Sequence, residues 1–248
     1  MTVRRAFQPS ENKGIAAVAV GDSPMTDRSG DVARCSDDAE RLRVHRLQRL
    51  ERRLWAMGMA NVAGVDEAGR GPLAGPVVAA AVILPPLFTL DRVDDSKRLR
   101  PEIRGELHTA IMRAAVAVGV GIVDEKTIDR INILEAALKA MDEAVRALCV
   151  QPDFILVDGN RLPLWEFPSR AVIGGDRASF SVAAASIVAK VTRDRIMVEY
   201  HRVYPEYGFD RHKGYGTPQH IAAISKFGLS DIHRRSFRLH GGIDNREG

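Results

Sequence analysis

The chain is short of cysteine and of long apolar runs, and both shortages narrow what it can be. Cys35 and Cys149 are the only cysteines among 248 residues. They form neither a CxxC pair nor a metal-type spacing, which argues against a disulfide framework and against a zinc site. The apolar runs are too short or too broken, as at Pro85-Pro86, to span a bilayer. We therefore expect a cytoplasmic protein that does not associate with membranes.

Aromatic residues are also scarce, at 6% of the chain, whereas 45% hydrophobic and 27% charged residues are ordinary for a soluble globular protein. The formal net charge is only +4, but the basic residues are unevenly placed, which favours a surface that binds polyanions. Residues 1–40 show no sustained periodicity, so we expect a disordered leader there. Residues 41–248 are expected to form one domain.

Apolar periodicity from residue 41 onward predicts helices alternating with strands. An amphipathic helix is predicted over residues 41–55. Predicted strands cover residues 62–66, 77–84, 119–123, 154–157 and 171–173. Further helices are predicted to begin near Pro101, Asn132, Ser179 and Thr217. This alternation is typical of a single α/β domain.

Four acids follow the predicted strands: Asp66, Glu67, Asp158 and Asp176. Strand ends on one side of a sheet form a crevice, and carboxylates without His or Cys ligands suit hard cations, Mg²⁺ first and Mn²⁺ next. Two such ions, about 3.5–4 Å apart, assist in-line phosphoryl displacement. Because successive strand residues face opposite ways, Asp66 and Glu67 can share this site only if the chain leaves strand geometry there. Taken singly, Asp158-Gly159 is also a common turn signal, and Asp176 beside Arg177 also fits a surface ion pair.

Two further stretches suit a nucleic acid. Gly69-Arg70-Gly71 follows the first acids, and its backbone amides and guanidinium can meet a phosphate or a sugar. Residues 193–238 hold nine Lys or Arg against five acids, with histidines and tyrosines among them, which favours a nucleic-acid face. Within that region Tyr215 can stack on a sugar or base, or anchor helix packing. Paired carboxylates also occur in glycosidases, but the basic neighbours and the few aromatic residues favour phosphate.

Several of these motifs, in this order, resemble the bacterial ribonuclease HII family, the type 2 ribonucleases H. The matching segments are Val65-Asp-Glu-Ala-Gly-Arg-Gly-Pro72, Asp95-Ser-Lys97, Val157-Asp-Gly159, Gly175-Asp176, Ala183-Ala-Ala-Ser-Ile187 with Ala189-Lys190, and His212-Lys-Gly-Tyr215. The resemblance covers roughly residues 52–237. It implies an RNase H-like α/β fold, with a central mixed five-stranded sheet flanked by helices and a C-terminal helical extension.

The same resemblance implies a two-metal endoribonuclease that uses Mg²⁺ or Mn²⁺. Its substrates would be RNA/DNA hybrids and duplex DNA containing ribonucleotides, with no obligate protein partner. Asp66, Glu67, Asp158 and Asp176 become the catalytic metal ligands. Gly69, Arg70 and Gly71 become the sensor of the ribose 2′-OH, Tyr215 the stacking residue, and Lys97, Ser181 and Lys190 phosphate contacts. Residues of about 205–240 become a helical substrate-binding region.

Two other functions compete with this one. A different two-metal nuclease or resolvase could use the same fold, but the Gly-Arg-Gly and His-Lys-Gly-Tyr segments address a ribose-containing duplex. A catalytically silent hybrid-binding protein is the alternative from another class. The presence of all four acids argues against silence.

Overall fold

The structure is a computed structural model, and it describes residues 38–238. Its strands are β1 (Val62–Ala68), β2 (Val77–Ile83), β3 (Ala117–Val123), β4 (Phe154–Asp158) and β5 (Ser169–Val172). Its helices are α1 (Asp38–Leu47), α2 (Arg49–Ala56), α3 (Pro101–Ala114), α4 (Glu125–Ile131), α5 (Ile133–Arg146), α6 (Phe180–Val203), α7 (Phe209–His212) and α8 (Pro218–Phe227). Short 3₁₀ helices cover Gly175–Arg177 and Pro205–Tyr207.

The five strands form one mixed sheet in the order β3-β2-β1-β4-β5. β1 pairs with β2 and β2 with β3 in antiparallel fashion, whereas β1, β4 and β5 run parallel. β2 is buried along its whole length, as expected for a strand covered on both faces. The predicted α/β fold with a mixed five-stranded sheet is confirmed, and β1 lies at its centre.

Glycines in the strands let one helix pack closely on each face of the sheet. A Cβ at Gly64 would lie 2.0 Å from the carbonyl carbon of Ser181 in α6. On the other face, a Cβ at Gly119 or Gly121 would lie 2.0 Å from a backbone oxygen of α5. Such distances are impossible for a real side chain, so these three positions require glycine. The sequence therefore sets how near α5 and α6 approach the strands.

The N-terminal helical region differs from the prediction in two ways. Residues 38–40, predicted to belong to the leader, already form the start of α1, where Glu40 accepts a 2.8 Å hydrogen bond from the backbone N–H of Arg92. The single helix predicted over residues 41–55 is two helices, separated at Gln48, whose buried amide donates to the Phe88 carbonyl. The rest of the predicted leader, residues 1–37, lies outside the described residues.

Helix α4 was not predicted, because seven residues are too few for a clear apolar period. Its local signal was present, since Asp124 caps it by accepting from the Thr127 N–H at 2.7 Å. The predicted caps at Asn132 and Thr217 are confirmed. Ser179, where a helix was predicted to begin, caps α6.

The C-terminal part is helical, as predicted, and has its own small core. Met197, Tyr207, Phe209 and Ile224 pack around Ala74 of the β1–β2 loop. This packing brings the C-terminal helices against the loop that follows the first acids. No helix between residues 38 and 238 is both long enough and apolar enough to cross a membrane.

Candidate active site

Two carboxylates meet at the ends of the parallel strands β1 and β4. Val65 pairs with Val157 in the ladder, so the next residues, Asp66 and Asp158, stand side by side on the face covered by α6. Asp66 is only 5% exposed, and its carboxylate accepts a 2.7 Å hydrogen bond from the Glu67 N–H. The prediction that strand ends bring these two acids together is confirmed.

Burial and like charge both act on Asp66 and Glu67. Burial raises the pKa of Asp66 well above its usual value, and the charges of Glu67 and Asp158 raise it further. Burial also raises the pKa of Glu67, and the nearby Arg70 only partly offsets this effect. Three acids therefore crowd within electrostatic reach of one another, which is costly unless a cation compensates them.

Glu67 reaches this cluster without leaving strand geometry, contrary to the prediction. It still pairs with Ala79 in the ladder between β1 and β2, so its side chain starts on the opposite face from Asp66. The Glu67 side chain is long enough, so near the end of β1, to bring its carboxylate within electrostatic reach of Asp158. Its oxygen lies 3.3 Å from the Arg70 guanidinium.

Asp176 joins the cluster from a short 3₁₀ helix. β5 ends at Val172, and Asp176 lies four residues later within Gly175–Arg177, so it does not close a strand as predicted. The Gly175 N–H donates a 2.6 Å hydrogen bond to Asp158, which fixes the 3₁₀ helix beside β4. Burial raises the pKa of Asp176, and the charges of Asp95 and Asp158 add to this shift.

Lys97 is a basic residue that interacts electrostatically with several of these acids. Burial lowers its pKa, but four acidic charges outweigh that effect and leave the pKa of Lys97 raised. Those acids are Asp66, Asp95, Asp176 and Glu67. The loop that carries Lys97 is anchored by a 2.9 Å hydrogen bond between the buried hydroxyls of Ser96 and Ser186. Asp95 was not predicted as a site residue, although it lies in the Asp-Ser-Lys motif.

The donor set fits hard divalent cations. Every acid in the cluster offers carboxylate oxygens, the ligands that Mg²⁺ and Mn²⁺ prefer. Between residues 38 and 238, however, no group of three or more His, Cys, Asp or Glu side chains is already arranged to hold a metal ion. Glu67 pairs with Arg70, and Asp158 accepts a hydrogen bond from the Gly175 N–H. A cation would supply the charge that this cluster lacks.

Two buried arginines hold the β1–β2 loop beside the acids. Arg193 donates three hydrogen bonds of 3.0–3.1 Å to the carbonyl oxygens of Ala74, Pro76 and Lys213. Arg234 donates three of 2.6–3.1 Å to the carbonyl oxygens of Gly69, Arg70 and Gly75. The two side chains are 0% and 2% exposed, and a buried guanidinium needs its donors satisfied. Five of these six bonds therefore fix the course of the loop, and the sixth ties it to Lys213.

Gly69 is a glycine because Arg193 fills the space beside it. Its φ of +101° favours glycine, and a Cβ there would lie 2.1 Å from the Arg193 Nε. The freedom of this glycine was predicted to serve a ligand, but in the structure it first serves a buried arginine.

Tyr215 lies next to the same loop. A Cβ at Gly71 would lie 3.8 Å from the Tyr215 ring, and the ring is 41% exposed. The Lys190 ammonium lies 5.9 Å and the Arg193 guanidinium 6.0 Å from the ring centroid. The structure thus brings the Gly-Arg-Gly loop, Tyr215 and Lys190 together, as the resemblance implied.

Ser181 is the predicted contact that the structure does not support. It is 3% exposed, and its backbone N–H donates a 2.9 Å hydrogen bond to the buried carboxylate of Glu51. It belongs to the first turn of α6, packed against Gly64 of β1. Ser181 is therefore a packing residue at the N-terminus of α6 and does not face a phosphate.

Fewer of the basic residues and histidines in region 193–238 are exposed than predicted. Arg193, Arg234, His220 and His233 are all almost fully buried, so a count of charges overstated the exposed basic face. Glycines around these residues gave a signal of close packing, but spacing alone cannot separate a buried arginine from an exposed one.

Comparison with known proteins identifies the family. A family model described as Ribonuclease HII matches residues 63–240. Ribonuclease HII of Geobacillus thermodenitrificans is 56% identical over 201 residues, which cover 81% of this chain and 77% of that protein. Ribonuclease HII of Geobacter sulfurreducens is 57% identical over 189 residues, 76% of this chain and 87% of that protein.

Solved structures agree with the sequence relatives. The ribonuclease H2 of Pyrococcus horikoshii is 30% identical, with a TM-score of 0.61 over 75% of this chain and 98% of that one. The RNase HII of Archaeoglobus fulgidus, solved as a complex with PCNA, is 25% identical, with a TM-score of 0.61 over 72% of this chain and 96% of that one. The chain belongs to the ribonuclease HII family of metal-dependent endoribonucleases, which act on RNA/DNA hybrids.

Proposed function

We propose that this enzyme also nicks duplex DNA on the 5′ side of an embedded ribonucleotide and leaves a 3′-OH and a 5′-phosphate. The observation that carries the proposal is the position of Tyr215 and the Gly-Arg-Gly loop directly beside the acidic cluster. A Cβ added at Gly71 would lie 3.8 Å from the Tyr215 ring, so the loop runs beside that ring. Glu67, near the end of β1, pairs with Arg70 of the loop. A sugar held there would have its phosphodiester next to Asp66.

Four acids are proposed to hold two divalent ions, Mg²⁺ or Mn²⁺. Asp66 and Asp158 stand side by side, and Glu67 and Asp176 lie within electrostatic reach of Asp158. Bound divalent ions would activate the attacking water and neutralise charge on the leaving oxygen. Asp66 is held by the Glu67 N–H and Asp158 by the Gly175 N–H, so the protein sets the positions of both carboxylates before substrate arrives.

Recognition of the ribose is proposed to fall to the Gly-Arg-Gly loop and Tyr215. The backbone of residues 69–71 can offer amides and carbonyls to a 2′-OH, the group that distinguishes RNA from DNA. The carbonyls of Gly69 and Arg70 already accept from Arg234, so their orientation is fixed. Tyr215 would stack on the next sugar, which tolerates a deoxyribose there. One ribose at one place then suffices for cleavage.

Lys97 and Lys190 are proposed to contact phosphates on the two sides of the site. Lys97 lies within electrostatic reach of Asp66, Glu67, Asp95 and Asp176. Lys190 pairs with Asp194 at 2.7 Å and lies beside the Tyr215 ring. The catalytic domain is proposed to be residues 41–248, with residues of about 205–240 as the helical substrate-binding region.

A catalytically silent hybrid-binding protein is the alternative from another class, and the presence of all four acids argues against it. Cleavage of an end-labelled RNA/DNA hybrid decides between them. We expect cleavage with Mg²⁺ or Mn²⁺ and none with EDTA, with hybrid binding retained in all three. Binding without cleavage under both metals would favour the silent protein.

A further inference from the structure

We propose that His220 and His233 form a directional hydrogen-bond relay that fixes the backbone of Tyr215, and that they are positioning residues for cleavage. The proposal rests on the function proposed above, in which Tyr215 stacks on the sugar beside the cut. The His220 ring contacts the Tyr215 carbonyl, and the His233 ring contacts the His220 ring.

The direction of the relay follows from the donors at its two ends. The backbone N–H and the hydroxyl of Ser230 both lie 2.8 Å from His233 Nδ1. Because the backbone N–H can only donate, this nitrogen carries no proton and the hydroxyl must donate to it as well. A neutral His233 must then carry its proton on Nε2, which lies 3.0 Å from Nε2 of His220. His220 Nε2 is therefore the acceptor, and His220 must carry its own proton on Nδ1.

That last proton faces the backbone of Tyr215. His220 Nδ1 lies 2.9 Å from the Tyr215 carbonyl oxygen, which can only accept. The same oxygen accepts from the Thr217 N–H at 2.8 Å. Only one pair of tautomers fits this series of hydrogen bonds: His233 protonated on Nε2 and His220 protonated on Nδ1. Each group then donates to the next, from Ser230 through His233 and His220 to the Tyr215 carbonyl.

Both rings are buried in an apolar setting that keeps them neutral. His220 is 0% and His233 2% exposed, and the ring of Phe209 lies 5.4 Å and 5.8 Å from them. Burial first, and then neighbouring positive charge, lowers the pKa of His233 to about 3. Burial likewise lowers the pKa of His220 to about 4. At neutral pH each ring has one donor and one acceptor, as the relay requires.

The relay also connects Tyr215 with the β1–β2 loop that carries Gly-Arg-Gly, the two parts of the proposed ribose-binding site. The backbone of His233 bridges to Ala74 of the β1–β2 loop, and the Leu73 N–H donates to the Gly214 carbonyl at 2.8 Å. A shift of the Tyr215 turn would therefore move it relative to the Gly-Arg-Gly loop. Small displacements of positioning groups slow cleavage strongly, because the reacting atoms must be aligned.

Asparagine and glutamine distinguish this role from simple packing, because their amide nitrogens imitate different ring nitrogens. At position 220, asparagine places its N–H near Nδ1 and keeps the bond to the Tyr215 carbonyl, whereas glutamine does not. At position 233 the order is reversed: glutamine places its N–H near Nε2 and keeps the donor to His220, whereas asparagine does not. The four variants are His220→Asn, His220→Gln, His233→Gln and His233→Asn.

The variants are compared by kcat/KM on a duplex with one embedded ribonucleotide and by melting temperature. We expect His220→Asn and His233→Gln to stay within about threefold of the unmodified chain, and His220→Gln and His233→Asn to lose roughly ten- to a hundredfold. A packing role predicts activities that follow the melting temperatures, with no reversal between the two positions. Equal losses within each pair would overturn the relay.

A spectroscopic measurement tests the tautomers without any enzymatic assay. Selective ¹⁵N labelling of the seven histidines in the full chain reports which ring nitrogen carries the proton, and the position 220 and 233 variants assign the signals. We expect His220 protonated on Nδ1 and His233 on Nε2. The opposite tautomers, or a doubly protonated ring at pH 7, would contradict the relay. If Tyr215→Ala cleaves normally while the tautomers are as expected, the proposed reading of the ribose fails and the relay does not.

Discussion

At the scale of single residues, Asp66 and Asp158 are proposed to carry the chemistry. We expect Asp66→Asn and Asp158→Asn each to reduce hybrid cleavage by at least about a hundredfold, because each removes a proposed metal ligand from the cluster. Melting in EDTA should be unchanged or slightly higher, since each change relieves repulsion between buried like charges. Asp142→Asn is the matched control, because Asp142 on α5 pairs with Arg146 at 2.8 Å outside the cluster. Full activity in either variant would remove that residue from the site.

Tyr215 is expected to act through its ring. Tyr215→Ala should lower cleavage at a single ribonucleotide by roughly ten- to a hundredfold, because stacking of a nucleotide on an aromatic ring is worth about 1–3 kcal/mol. Tyr215→Phe keeps the ring and should retain most of the activity. Equal loss in both variants would indicate that the hydroxyl matters, contrary to a stacking role.

The buried carboxylate of Glu51 predicts how the stability of the fold depends on pH. This carboxylate accepts from the Ser179 hydroxyl at 2.5 Å and the Ser181 N–H at 2.9 Å. Burial raises the pKa of Glu51 above its ordinary 4.5. The stability that this raised pKa contributes is therefore complete below pH 4.5 and is lost as pH rises through the folded-state pKa.

Glu51→Gln keeps an acceptor for both bonds but cannot ionise. The free energy of unfolding of this variant, relative to the unmodified chain, should therefore be more favourable at pH 8 than at pH 4.5. Urea unfolding at both pH values measures the difference. A difference that does not change with pH would mean that Glu51 is not held in a setting that disfavours its charge.

The residues that could be predicted from the sequence are those whose position follows from a strand end. Asp158 closes β4, and Asp66 follows the last residue of β1 that pairs with β4, so the sheet alone brings them together. Arg193 and Arg234 were misassigned to the surface, because a guanidinium that donates only to backbone carbonyls leaves no complementary acid in the sequence. Their burial depends on contacts between segments more than a hundred residues apart.

At the scale of secondary-structure elements, the close contact between β1 and α6 offers the most sensitive test of the fold. Gly64→Ala should lower the free energy of unfolding by about 3 kcal/mol or more, because overpacking against backbone atoms cannot be relieved by a rotamer change. Gly105→Ala in α3 is the control, since nothing lies within 4 Å of its Cβ position. It should raise stability by roughly 0.5–1 kcal/mol, the usual advantage of alanine over glycine in a helix. Similar stabilities for both variants would contradict the close packing of α6.

Elements with caps or long apolar periods were predictable, and shorter ones were not. Asn132 and Thr217 marked the starts of α5 and α8, because a side-chain cap is a local feature of the sequence. At the break, the buried amide of Gln48 donates to the carbonyl of Phe88, forty residues away. No local pattern could therefore separate α1 from α2.

At the scale of the whole molecule, the sheet brings the acids together and the C-terminal helices bring Tyr215 to them. Arg193 and Arg234 connect these two parts, because both donate to the β1–β2 loop from segments that lie after the last strand. The order of motifs along the chain predicted the same residues, but the connection between them is visible only in three dimensions.

The most direct test of the account is cleavage of a DNA duplex that contains one ribonucleotide, mapped to the nucleotide and compared with an all-DNA duplex and a full RNA/DNA hybrid. We expect one nick on the 5′ side of the ribonucleotide, with a 3′-OH and a 5′-phosphate, cleavage of the hybrid, and no cleavage of the all-DNA duplex. Cleavage of the hybrid with none at the single ribonucleotide, or equal cleavage of the all-DNA duplex, would contradict the claim that this site recognises one ribose.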